Sequence, residues 1–303
     1  MSVERMKEII GISFIPEKIS YDIIETIDCG CYQRKLIHYT VNNRLIPAFL
    51  LIPKIDGNRP AVLINHQHNR ERNLGKSEVC GLAGNPLQAF GVALVERGFV
   101  VIAPDSLCFE ERRQNAKGIE KNDEQDDWNH FLALCHGILS GQYLAKTVIE
   151  DAMGAISVLN NLDNVERARI GCLGHSYGGN TTYFLTAFDN RIKYALSSGS
   201  VASYKYRIEN QTGIEMASII PNFLKEFEIV DVIKEISPRK FMIVCADDDK
   251  YSKDAPDVFE SAKTKYIADG YSEHLQIKQF IGGHALTTER YDFIVNWISN
   301  IAK

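Results

Sequence analysis

The rhythm of apolar and polar positions changes near residue 60. Before it, residues 1–33 mix short helical and irregular patterns, and two β-like runs follow at 35–41 and 45–52. The Asn42-Asn43 turn between those runs predicts a hairpin, with His38 facing solvent. Beyond residue 60 the pattern becomes strand, then helix, repeated. Residues 61–65 are a short apolar run without polar alternation, as expected of a strand covered on both faces. A helical stretch from about 86 to 97 ends at Gly98, and 99–103 makes the next strand. Leu144, Val148, Ala152, Ala155 and Leu159 mark one face of an amphipathic helix. Further strands are predicted at 168–173, 192–198, 241–245 and 275–280, a helix at 180–188, and a last helix carrying Tyr291, Ile294, Ile298 and Ile301.

This order predicts an α/β fold, a mostly parallel central sheet with helices on both faces and an antiparallel N-terminal hairpin. With no repeat and no Pro-rich linker, residues 1–303 read as a single domain with 1–33 as an N-terminal extension. Two stretches, 106–140 and 200–238, break the alternation. Both leave the carboxyl ends of strands, where such sheets bind ligands, so they are expected to be lids or substrate walls.

Composition removes several classes of partner. A chain that is 45% hydrophobic, with net charge −5 and no basic run, invites neither nucleic acid nor an anionic membrane surface. No stretch approaches the roughly 18 apolar residues of a membrane span, and the start is charged, without an apolar signal core. Seven scattered cysteines favour a reducing cytoplasm. Cys29-Gly30-Cys31 has the wrong spacing for a redox or zinc pair. A homo-oligomer is left open.

Chemistry enters with Gly174-His175-Ser176-Tyr177-Gly178-Gly179, set between a predicted strand and a predicted helix. G-x-S-x-G in that setting is a nucleophile elbow, whose sharp turn leaves no room for side chains two positions either side of the serine. A serine needs a base, and the base needs an orienting acid. His284, in the loop after the last strand, is expected as base; His274 precedes that strand and lies at the wrong end. The acid comes from Asp247-Asp248-Asp249, with Asp249 favoured by its distance from the strand end and Asp248 the alternative. The oxyanion would be held by the backbone N–H of Tyr177 and of His68. His66 and His68 lack further ligands at metal spacing, so no metal site is expected there, and a serine nucleophile with its base and acid requires neither metal nor organic cofactor. His175 is expected to pack, and His130 and His136 to be solvated or packed within the insertion. The acidic run at 120–127 reads as solvated.

These residues resemble the α/β-hydrolase superfamily, in the branch of the dienelactone hydrolases and acetyl xylan esterases. The resemblance covers roughly 35–300. It is carried by 61–68, 97–105, 109–113, 174–179, Ser237-Pro238-Arg239, 246–249 and 282–285. It implies a serine hydrolase cleaving carboxylic esters, with a small-molecule ester as substrate, through an acyl-enzyme, with Ser176 as nucleophile, Asp249 as acid and His284 as base. Ala246 replaces the common glycine ahead of the acid, and serine replaces the cysteine of true dienelactone hydrolases. Gln67 stands where the family has glycine, which supports a rival reading as a catalytically silent binding protein on a hydrolase scaffold. A peptidase or amidase of the oligopeptidase-like branch is the other alternative.

Overall fold

The continuous apolar runs become interior strands because helices cover both of their faces. A computed structural model describes residues 3–114 and 118–302. Among them run β1 (Tyr21–Asp28), β2 (Tyr32–Val41), β3 (Arg44–Pro53), β4 (Arg59–Asn65) and β5 (Val100–Pro104). There follow β6 (Val165–His175), β7 (Tyr194–Ser198), β8 (Lys240–Ala246) and β9 (Leu275–Phe280). They form one sheet in the order β1-β2-β3-β5-β4-β6-β7-β8-β9. The first four pair antiparallel and the rest parallel. Successive strand residues point to opposite faces. Ala61, Leu63, Cys172 and Ile243 therefore join Ile149, Ile156 and Phe184, from helices Leu144–Asn160 and Tyr177–Phe188, in one core. Val62, Ile64, Leu173 and Val244 meet Leu94, Ile294 and Ile298, from helices Phe90–Val95 and Thr288–Ile301, in the other. Each fully buried Leu or Ile contributes about 1.5–3 kcal/mol.

The hairpin closes as expected. Val41 pairs with Arg44, and Asn42 and Asn43 take φ of 48° and 62°, the left-handed pair that a two-residue turn requires. Residues 1–33 carry more than an extension. Helix Val3–Ile10 buries Met6 and Ile10 in the core, and β1 pairs with β2 as the edge of the sheet. The expected 86–97 helix is split into a short 3-10 turn at Pro86–Gln88 and helix Phe90–Val95, with Ala89 (ψ 45°) outside the helical range. Helix Ala255–Ala268 was not predicted. His38 is half-buried rather than turned to solvent, and its Nε2 is buried without a partner.

The insertion at 106–140, of which 115–117 lie outside the described residues, holds helix Asp123–Ser140. Its acidic run is not simply solvated. Asp126 pairs with Arg113 at 2.6 Å, and Asp127 pairs with Arg72. Both arginines are buried, and a buried guanidinium without a counterion would be strongly destabilising. The stretch 200–238 holds helices Tyr204–Glu209 and Ile229–Lys234. Among the described residues no helix is long and apolar enough to cross a membrane. All seven cysteines are free thiols.

Candidate active site

Strand β6 delivers Ser176 into a turn at φ 55° and ψ −121°, a conformation that costs a non-glycine residue energy. Two features hold it there: its N–H donates to the Ser198 carbonyl of β7 at 2.7 Å, and helix Tyr177–Phe188 starts at once. The flanking glycines are needed for space. A Cβ at Gly174 would lie 2.2 Å from backbone of Gly178, and one at Gly178 would lie 2.0 Å from the Asn65 carbonyl.

The loops after β6, β8 and β9 bring three side chains together at the carboxyl edge of the sheet. Ser176 Oγ lies 2.8 Å from His284 Nε2, and His284 Nδ1 lies 3.0 and 3.1 Å from the two carboxylate oxygens of Asp249. Asp249 is fully buried and also accepts from the Tyr251 N–H at 3.0 Å and the Ser252 hydroxyl at 2.8 Å. Burial alone would raise its carboxyl. The bonds from His284, Ser252 and Tyr251, with the attraction of His284, outweigh that and hold it below its ordinary value. An ionised Asp249 accepts from Nδ1–H, which leaves Nε2 free to accept the serine proton.

Of the three aspartates, Asp248 is exposed, and only its backbone is engaged, donating to the Gly282 carbonyl at 3.0 Å. Asp247 pins the histidine loop instead: its carboxylate accepts from the Gly282 N–H at 2.8 Å, and its own N–H donates to Phe280. Arg290, unremarked in the sequence, is wholly buried beneath that loop and donates to the carbonyls of Gly283 (3.0 Å) and His284 (3.2 Å). Tyr251 and Ser252 also went unpredicted. A run of polar residues just after the acid was the available signal.

His175 packs as expected. It stacks on His284 with centroids 5.0 Å apart, bonds Ser198 Oγ at 3.0 Å, and is kept uncharged chiefly by burial. His66 Nε2 accepts from the Ser106 N–H at 3.0 Å, so its Nδ1 carries the proton and donates to the Gln67 carbonyl. Both ring nitrogens are thereby engaged. His68 Nδ1 accepts from the Arg70 N–H, while the His68 backbone N–H has no acceptor among the described residues. Gln67 is accommodated without entering the site. Its side chain turns into a buried network, donating to Glu78 at 3.0 Å and accepting from Gln88 at 3.0 Å.

The insertion at 106–140 braces the site from behind. Phe109 packs its ring within 4.8 to 5.8 Å of His66, His68, Tyr177 and His130, and His130 Nδ1 accepts from Arg72. His136 is exposed. Asp105, Glu110 and Glu111 cluster closely enough to suggest a cation, and the cation there is Lys76. Its buried ammonium meets them at 2.7, 2.6 and 2.6 Å.

Ser176 and His284 open on a pocket of about 240 Å³ walled by the 67–70 loop, Asn180, Gly199, Arg207, Glu215 and Tyr251. Glu215 comes from the 200–238 stretch. Comparison with known proteins gives the setting. The acetyl xylan esterase (AXE1) family model matches residues 24–229. A candidate hydrolase of Bacillus subtilis (strain 168), YtaP, is 26% identical over 262 residues, 83% of each chain. Among solved structures, a candidate acetyl xylan esterase of Bacteroides fragilis NCTC 9343 superposes with TM-score 0.76 at 16% identity, over 92% of this chain and 73% of that one. Acetyl xylan esterase 1 of Thermoanaerobacterium sp. JW/SL YS485 does so with TM-score 0.64 at 16% identity, over 99% and 93%. These last two likenesses speak for the fold.

Proposed function

The chain belongs to the acetyl xylan esterase family and is a carboxylic ester hydrolase; from that premise we infer that it works through a Ser176–His284–Asp249 triad and an acyl-enzyme. The observation that carries this reading is the unbroken chain of contacts, 2.8 Å from Ser176 Oγ to His284 Nε2 and 3.0 Å from Nδ1 to Asp249. Ser176 Oγ attacks the ester carbonyl carbon as its proton passes to His284 Nε2. Charge builds on the carbonyl oxygen, where the N–H groups of Tyr177 and His68 are the proposed donors. The intermediate collapses, His284 returns the proton to the departing alcohol, and water, deprotonated in turn by His284, frees the acid. Asp249 stabilises the imidazolium throughout.

Gln67, the residue that favoured a silent scaffold, has its amide committed to Glu78 and Gln88 and so gives that alternative no support. The family's name and the small pocket point to short acyl groups, acetyl first. The test is hydrolysis of p-nitrophenyl esters from acetate to octanoate by wild type and Ser176→Ala. Wild type should prefer acetate, and the variant should lose roughly 10⁴-fold or more in kcat. Unchanged turnover in Ser176→Ala would refute the triad.

A further inference from the structure

One buried imidazole spends both of its nitrogens on the backbone behind the pocket. His66 follows β4 and is 2% exposed, and the next two residues, Gln67 and His68, line the pocket of Ser176 and His284. Its Nε2 accepts from the Ser106 N–H at 3.0 Å, so the proton sits on Nδ1, which donates to the Gln67 carbonyl at 2.8 Å. Burial keeps the ring uncharged, and a proton added to Nε2 would face the Ser106 N–H. Phe109 and Tyr177 flank the ring, with centroids 4.8 and 6.0 Å away.

The bond to Gln67 acts one residue further on. A trans peptide is planar, and its C=O and N–H point opposite ways. With the Gln67 carbonyl held against the buried ring, the His68 N–H is aimed away from it, and that N–H has no acceptor among the described residues. A released peptide could turn over and set a carbonyl oxygen, not a donor, toward the charge that builds on the ester oxygen. Ser106 ties the second donor residue into the same frame, since its Oγ lies 2.6 Å from the Tyr177 hydroxyl. We propose that His66 is a positioning residue for the reaction: its Nδ1–H, in the tautomer set by Ser106, locks the Gln67–His68 peptide so that the His68 N–H meets the oxyanion. This rests on the triad and oxyanion reading of Ser176, Tyr177 and His68.

The test compares His66→Asn with His66→Gln on p-nitrophenyl acetate. Asparagine sets its amide near the Nδ1 position and can keep the bond to Gln67. Glutamine sets its amide near Nε2, where its oxygen can take the Ser106 N–H but leaves the Gln67 carbonyl unheld. One oxyanion donor is worth about 10²–10³ in kcat, so His66→Gln should lose about 10²-fold with KM within about twofold of wild type. His66→Asn should regain at least about tenfold of that loss. Counting kcat per site labelled by a fluorophosphonate keeps unfolded protein out of the comparison. Trifluoroacetone supplies a readout that a merely structural role would not move. Ser176 Oγ adds to its carbonyl carbon, the proton passes to His284 Nε2, and the carbonyl oxygen takes the electron pair as an oxyanion. Its affinity should fall in His66→Gln by the same factor as kcat. A loss under about threefold, a loss carried by KM, or His66→Asn falling as far as His66→Gln would overturn the proposal. Turnover that survives Ser176→Ala would sink the triad instead, a result read in a separate variant.

Discussion

Replacing Asp249 with asparagine tests how the site divides its labour. The carboxylate stands 3.0 Å from His284 Nδ1, and in the proposed mechanism the imidazole becomes positive each time it takes the serine proton. At that separation and an effective dielectric of about 20, the attraction is about 5.5 kcal/mol. Removing it should slow the chemical step by about 10⁴-fold. The amide adds a second fault. If its NH₂ faces Nδ1, the ring is driven to the tautomer with its proton on Nε2, against Ser176, where it can accept nothing. Asp248→Asn is the matched control, since that carboxylate is exposed and touches no part of the site, and it should stay within about twofold. The assay is kcat on p-nitrophenyl acetate at a pH where wild type is on its plateau. Asp249→Asn within tenfold of wild type, or Asp248→Asn falling as far, would refute the assignment. Because the folded state holds Asp249 below its unfolded value, its contribution to stability is present above about pH 4 and lost as pH falls through the folded value.

Arg290→Met should lower kcat about tenfold or more with KM little changed, since two charged-donor bonds to the base's loop disappear; Arg290→Lys should restore part of it, and a pure KM effect would contradict the positioning role. Gly178→Ala should cost at least about 3 kcal/mol by urea unfolding, because its Cβ would stand 2.0 Å from the Asn65 carbonyl; a loss under 1 kcal/mol would mean the elbow has slack. His66 is buried and its imidazole pushed down to about 4, so the folded state refuses a proton that the unfolded chain takes up below about 6.5. Relative to wild type, His66→Gln should therefore gain up to about 1.4 kcal/mol of stability per pH unit between pH 6.5 and 4, and a difference flat with pH would count against a buried neutral ring.

What could be read from the chain follows from what each signal depends on. The elbow, β4, β5 and β8 are legible because a strand covered on both faces must be apolar throughout, whatever lies around it. β1 is not, because it is an edge strand with Ile23 and Ile24 half-exposed and a register shift between Ile23 and Glu25, so no alternation survives in its sequence. Helix Ala255–Ala268 carries a usable signal, Pro256 in its first turn and Val258, Phe259, Ala262 and Tyr266 on its buried side. Ser176, His284 and Asp249 were legible as residue types in a fixed order. Arg290 and the true surroundings of Asp126 and Asp127 were not, because their roles depend on which distant segment they face. Gln67 looked like an obstruction in sequence, and only the position of Glu78 and Gln88 shows where its side chain goes.

The ties between the loops after β8 and β9 bear on how the site moves. Asp247 and Asp248 are stitched to Phe280 and Gly282 by three hydrogen bonds, so Asp249 and His284 ride on one stiff two-stranded tongue, while Ser176 is anchored separately on β7. Thermal motion of the tongue should then leave the aspartate–histidine pair nearly undisturbed and express itself in the gap between His284 and Ser176. In the proposed mechanism that joint opens every cycle, first to let the imidazole turn from the serine to the departing alcohol and then to admit water.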